Sequence, residues 1–202
     1  MPNIVKVPAE MWIKTARKAL IAEGLGGVKV DRLAKMLGVS RGGFYHNFKS
    51  HDELMDRLLE DWATSNEFVP MQTSYDSPAE AFAAFEEMID RMILEKDFSS
   101  AFEMAVREWG RIDAKVKRIV DRVDNERIER LTALFSALGC DEIEAPIRAR
   151  ILYYHQIGFY ALGHQKHQSK ADRLRTAPIY LRILCGPHYH DAEKLSAKAT
   201  SA

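Results

Sequence analysis

The sequence is poor in the residues that would place it in a specialised class. Of its 202 residues only two are cysteine, Cys140 and Cys185, too few for a disulfide framework and not spaced as a metal knuckle. Both read as small buried hydrophobes in a reducing compartment. Eleven glycines and seven prolines exclude collagen-like and low-complexity chains. No apolar run approaches the ~18 residues that a membrane span needs, and nothing near the start reads as a signal peptide, so a cytoplasmic protein is expected. Sustained period-two alternation is almost absent, which argues against strands. What remains is ordinary globular material, with 47% hydrophobic and 29% charged residues. At about 100 to 200 residues per domain, the length admits one large domain or a small module joined to a moderate one.

The net charge of zero hides an asymmetry. Residues 1 to 51 carry nine Lys and Arg against three acids, Glu10, Glu23 and Asp31, so this stretch is at +6 and the remainder at −6. A basic segment on an acidic body suggests two jobs, one of them involving a polyanion.

Helical spacing runs nearly throughout. A first helix is predicted from about Pro8 to Glu23, with Trp12, Ala16, Ala19 and Leu20 on one face and Gly24 as its stop. Val30, Leu33, Ala34 and Leu37 form a second, very short stripe that ends at Gly38, where a left-handed residue costs little. Ser40 then suits an N-cap, with Val39 and Phe44 placed as a hydrophobic staple. Helix, Gly-Val-Ser turn and helix make the pattern of a helix-turn-helix, whose second helix enters the major groove. That second helix, predicted over Arg41 to Phe48, turns only Phe44 and Phe48 inward. Gly42 and Gly43 each cost roughly 1 kcal/mol relative to Ala there. Either close approach to DNA or tight packing against the preceding helix would account for them.

Ser50 to Glu53 is a capping box that opens a helix running to about Phe68. Met71 to Asp76 is a polar linker, and Ser77 to Glu80 is a second capping box with Pro78 at N1. Phe82, Phe85, Ile89, Met92 and Ile93 mark the next helix, and Phe102, Ala105, Val106 and Trp109 the one after. An amphipathic face from Ile112 to Leu138 marks a long helix closed by Gly139. A further helix runs from about Pro146 to Gln165, with apolar residues spread widely enough for burial on two sides. The final helix is predicted over Ala177 to Cys185, with Pro178 near its start. The domains expected are a helix-turn-helix module over 1–50, a connecting helix over 51–70, a helical regulatory and dimerisation domain over 71–187, and a flexible tail over 188–202. The fold class is all-α.

The segment Val30 to Phe48, followed by Ser50-His51-Asp52-Glu53-Leu54, resembles the DNA-binding domain of the tetracycline-repressor (TetR) family in its "LA…GVS.G..Y..F…EL" skeleton. The resemblance covers about residues 8 to 62. It implies a homodimer that reads a palindromic double-stranded DNA operator and is released by a small-molecule effector bound in the C-terminal domain. The DNA-contacting residues it implies are Lys29, Val30, Ser40, Arg41, Gly42, Gly43, Tyr45, His46, Asn47, Lys49 and His51. Three of these depart from the family pattern: Lys29 replaces a capping Thr, Gly43 a Thr and His51 a phosphate-binding Lys. Chemistry agrees with the assignment, since Arg41 is suited to bidentate guanine readout and Tyr45 to thymine methyls and phosphate.

An enzyme is not expected, because no convergent acid, base or nucleophile constellation has local spacing. Glu86 with Glu87 and Glu126 with Glu129 read as solvated helix faces. No cofactor or metal is expected either: His164 and His167 read as helix-end residues and the His188-Tyr189-His190-Asp191 run as tail. Met88, Met92, Phe102, Trp109, Tyr153, Tyr154 and Phe159 are candidates to line an apolar effector cavity, with Glu103, Arg107, His155 and Gln156 as polar fixing groups. Core packing accounts for the aromatics equally well. A DNA-binding architectural protein of the same fold, without an effector, is the alternative function.

Overall fold

The computed structural model describes residues 7–186. Helices account for the regular structure, and among the described residues there is no strand. In chain order the helices are α1 (Ala9–Glu23), α2 (Val30–Leu37), α3 (Arg41–Tyr45), α4 (His51–Ser65), α5 (Pro78–Leu94), α6 (Ser100–Gly110), α7 (Ala114–Ala137), α8 (Glu144–Ala161) and α9 (Lys170–Cys185). Two compact units divide them. The first takes the chain up to Asn66 together with Ser100–Val120, and the second takes Glu67–Ser99 and the chain from Asp121 onward. The sequence groups all of 71–187 together; in the structure the α6 stretch instead packs with α1 and α4, a pairing that spacing along one chain does not reveal.

In the first unit Trp12, Ala16, Ala19 and Leu20 of α1 are buried against Leu33 and Ala34 of α2, Phe44 of α3 and Leu54, Leu58 and Trp62 of α4. Phe44 is the pin. It meets Trp12 edge-on at 5.4 Å and stacks on Phe48 at 5.1 Å, and burying one such ring stabilises the unit by about 1.5–3 kcal/mol. Gly38 ends α2 in the left-handed region (φ 67°, ψ 28°). Its N–H reaches Lys35 O at 3.2 Å and that of Val39 reaches Ala34 O at 3.0 Å, the paired bonds of a Schellman stop. Helix α6 adds a buried polar knot. The Glu103 carboxylate accepts from Trp62 Nε1 at 2.9 Å, Asn66 Nδ2 at 3.1 Å and Arg107 Nε at 2.9 Å.

In the second unit, α5 is opened by Ser77, whose Oγ accepts from Glu80 N at 3.2 Å while Glu80 Oε2 accepts from Asp76 N at 2.7 Å. Phe85 packs on Phe135 at 5.5 Å and Phe68 on Phe98 at 5.0 Å. Buried Arg127 and Arg130 share the Glu67 carboxylate at 3.1 and 2.6 Å.

Several helix ends differ from the sequence expectation. Helix α3 stops at Tyr45 rather than Phe48, because Asn47 Nδ2 takes the Gly43 carbonyl at 3.2 Å and the Asn47 backbone N–H turns to Phe44 O at 2.9 Å, a side chain competing with the helix ladder. Helix α4 stops at Ser65 rather than Phe68, since Asn66 leaves helical geometry with its amide on Glu103. Ile112 is exposed in the turn before α7 because Asp113 Oδ1 accepts from Lys115 N at 2.8 Å and Val116 N at 3.2 Å, starting the helix at Ala114. Helix α8 ends at Ala161, short of Gln165, where Gly163 turns left-handed (φ 71°). Helix α9 begins at Lys170, capped by Ser169 Oγ accepting from Asp172 N at 3.0 Å, and so holds Pro178 inside it. Its first two turns are polar, which hid them from a reading based on apolar spacing.

Candidate nucleic-acid interface

The turn between α2 and α3 is three residues long, Gly38 to Ser40, and the Phe44 pin orients α3 so that Arg41, Gly42, Tyr45 and His46 are exposed together. Tyr45 is 52% exposed. Arg41 is not isolated: its Nη1 donates to Asp31 Oδ2 at 3.2 Å and Oδ1 at 3.3 Å, and its Nη2 donates to the Tyr45 hydroxyl at 3.4 Å. The Tyr45 hydrogen bond, followed by the Asp31 charge, holds the guanidinium above its ordinary pKa, so Arg41 keeps its full charge. The group is a planar donor fork presented at a fixed place, the geometry that bidentate base recognition uses.

The two glycines of α3 are not required by packing inside the protein. A Cβ at Gly42 would meet only Ser40 Oγ at 3.6 Å, and one at Gly43 would make ordinary contacts with Val39 at 3.7 Å and Trp12 at 3.9 Å. Tight packing against the preceding helix is therefore not their explanation. Ser40 occupies the N-cap position with extended backbone but its hydroxyl makes no capping bond. Lys29 likewise precedes α2 without a side-chain cap. Lys29 and Lys49 are exposed, and Val30 is half-buried.

Two residues of the expected contact set are occupied within the protein. Asn47 donates to Val7 O at 3.0 Å as well as to Gly43 O, tying the start of the described chain to α3. His51 Nε2 donates to Val28 O at 2.7 Å, which clamps the N-terminus of α4 to the α1–α2 connection. Asp31 is the residue that sequence reasoning missed. It sits ten positions before Arg41, and only the turn geometry brings the pair together.

Residues 13–58, from within α1 to within α4, match the family described as bacterial regulatory proteins, tetR family. This chain carries a tetR-family DNA-binding domain. The tetR-family match contains the whole of α2, the turn and α3. No curated protein matches the sequence. Among solved structures, the crystal structure of BioQ with its natural double-stranded DNA operator is 19% identical, with 90% of this chain and 97% of that chain covered and a TM-score of 0.46. Mycobacterium smegmatis BioQ is 20% identical, with 89% of this chain and 96% of that chain covered and a TM-score of 0.46.

Beyond the tetR-family domain, the residues expected to line one effector cavity are dispersed. Phe102, Glu103, Arg107 and Trp109 belong to α6 in the first unit, and Glu103 and Arg107 are committed to each other. In the second unit Met88 is core and Tyr154 is exposed. Tyr153 is buried and donates to Asp124 Oδ1 at 2.6 Å. Met92, His155, Gln156 and Phe159 do meet, at a cavity of about 60 Å³ bounded by α5, α8 and α9. Arg173, Thr176 and Tyr180 of α9 join them there. Arg173 and Thr176 lie ahead of the Ala177 start expected from the sequence, and Tyr180 lies inside that expected helix without having been named as a lining residue. His188 and His190 lie outside the described residues. No helix among the described residues is long and apolar enough to cross a membrane.

Proposed function

We propose that this protein is a homodimeric transcriptional repressor that reads a pseudo-palindromic operator through α3 and leaves it when a small molecule binds the second unit. The observation that carries the reading is the pair Gly42 and Gly43. Two poor helix formers stand on an exposed helix of a basic helix-turn-helix, and nothing inside the protein needs them. Backbone lying against a partner makes use of what a Cβ would obstruct. Arg41 and Tyr45 flank the glycines as base-reading groups, Lys29 and Lys49 supply phosphate attraction, and the N-terminal turn of α4 at His51 offers backbone N–H groups to a phosphate.

A five-residue helix reads few base pairs, so selectivity calls for two copies about 34–36 Å apart on the duplex. The surface suited to pairing lies on α8 and α9, where Ile147, Ile151, Tyr154, Ile179 and Ile183 are exposed. The cavity of the second unit supports the effector reading. Tenfold release requires about 1.4 kcal/mol of coupling between ligand and DNA sites.

Selection of the wild-type protein on randomised duplexes tests the reading: it is expected to enrich a twofold-symmetric site. Arg41→Ala is expected to bind DNA without enriching any sequence. A wild-type protein that enriches nothing would leave the architectural alternative in place of the repressor.

A further inference from the structure

Helix α3 runs only from Arg41 to Tyr45. Isolated helices shorter than about 12–15 residues are marginal in water, and Gly42 and Gly43 are poor helix formers, so one turn of this composition does not fix its own direction. Where Arg41 and Tyr45 point is set by the ties between α3 and the rest of the first unit. Phe44 fixes the depth of the helix, with its ring buried between Trp12 and Phe48. A single pin leaves the turn free to pivot about it. Asp31 holds Arg41 at the front end, but both side chains are largely exposed, and exposed ion pairs hold weakly.

Asn47 holds the rear end. It is half-buried, and its Nδ2 donates to Gly43 O at 3.2 Å and to Val7 O at 3.0 Å. One amide therefore joins α3 to the residue that leads into α1. That side of the tie is firm, because Pro8 O accepts from Met11 N at 3.1 Å and α1 is anchored by the buried Trp12, Ala16, Ala19 and Leu20. An amide nitrogen carries two hydrogens, and the two carbonyls take both. What Asn47 has left is Oδ1, an acceptor. The oxygens of a DNA phosphate only accept as well, so Asn47 holds a phosphate only by releasing Gly43 or Val7.

We infer that Asn47 is a positioning residue for operator recognition: by tying Gly43 to Val7 it sets the direction of α3, and so it acts on sequence selectivity without touching DNA. The inference rests on the reading that α3 reads the operator. Arg41→Ala tests that reading with the Asn47 tie in place, and substitution of Asn47 tests the tie with Arg41 in place, so the two fail separately.

The test is fluorescence anisotropy of full-length Asn47→Ala and Asn47→Asp, well below their melting temperatures and at one salt concentration. The duplexes are the site that the wild-type protein selects and a scrambled sequence. Asn47→Asp keeps the size of the side chain and loses both donors; its added charge acts on the two duplexes alike and drops out of the ratio of their affinities. That ratio is expected to fall at least tenfold in both variants, with the affinity of Asn47→Ala for the scrambled duplex within twofold of wild type. A phosphate contact would instead weaken both duplexes by the same factor. A purely structural role would lower the melting temperature and leave both affinities at their wild-type values. Either of these results, an unchanged ratio in one variant, or loss of helix content in both by circular dichroism overturns the inference. If Asn47→Ala alone fails to fold, the ratio measured for Asn47→Asp decides.

Discussion

Arg41 and Asp31 face each other across the helix-turn-helix, with Nη1 3.2 Å from Oδ2, so the arginine proposed to read bases is held by an acid of the preceding helix. Both side chains are largely exposed, and exposed pairs contribute little to stability. On the proposed function the acid acts on DNA binding instead, because it aims the guanidinium and subtracts from the positive field at the same time. Asp31→Asn is expected to tighten binding to random duplexes several-fold and to reduce the preference for the operator. The melting temperature should hardly move, with a stability change within about 0.5 kcal/mol. Fluorescence anisotropy on operator and scrambled duplexes over a salt series checks both parts.

Gly42→Ala and Gly43→Ala are expected to move stability and DNA affinity in opposite directions. Neither Cβ meets an obstacle in the free protein, so each substitution should stabilise it by about 0.4–1 kcal/mol through the lower entropy of its unfolded chain. Operator affinity should fall at least tenfold. Paired denaturant melts and anisotropy titrations measure this, and an alanine variant that binds the operator as tightly as wild type would remove the glycines from the interface.

Glu103 holds together a buried polar network of the first unit, and it is expected to act on stability rather than on an effector. Its buried carboxylate serves Trp62, Asn66 and Arg107 together. Glu103→Gln keeps the shape, drops the charge and is expected to cost about 1.5–3 kcal/mol, the range for hydrogen bonds to charged groups. Urea denaturation at neutral pH gives the number. Effector potency should be unchanged once the variant is folded.

The exposed isoleucines of α8 and α9 are expected to hold the dimer. Ile183 is 71% exposed and Ile151 54%, so a charge at either position leaves the protomer core intact. Ile151→Glu with Ile183→Glu should raise the dimer dissociation constant at least tenfold, about 1.4 kcal/mol. Sedimentation analysis checks the assembly, circular dichroism the helix content, and the operator affinity of the double variant should fall with dimerisation.

Much of the first unit is determined by local chemistry, and the sequence shows it. Gly38 ends α2 because it enters the left-handed region cheaply. Ser50 and Ser77 begin helices because a hydroxyl three residues before an amide satisfies it. Trp12, Leu33, Phe44 and Leu58 fall on the inward faces that a 3.6-residue period assigns them. The family skeleton is a chain of such local signals, which is why the DNA-binding module was legible without coordinates.

Tertiary structure decided whatever depends on residues distant in sequence. Asp31 reaches Arg41, Asn47 reaches Val7, and His51 reaches the Val28 carbonyl, so two of the expected DNA contacts are occupied inside the protein and an unexpected acid stands beside another. Glu103 and Arg107 looked like polar groups of an effector cavity, yet they joined α6 to Trp62 and Asn66 of the first unit. Arg173 came to the cavity of the second unit from a helical turn with no apolar stripe to announce it. Periodicity reports which face of a helix is apolar, because that is a property of one segment. Which partner that face meets, and which charge is left without a counter-ion, depends on how separate segments pack, and no spacing along a single chain encodes that directly.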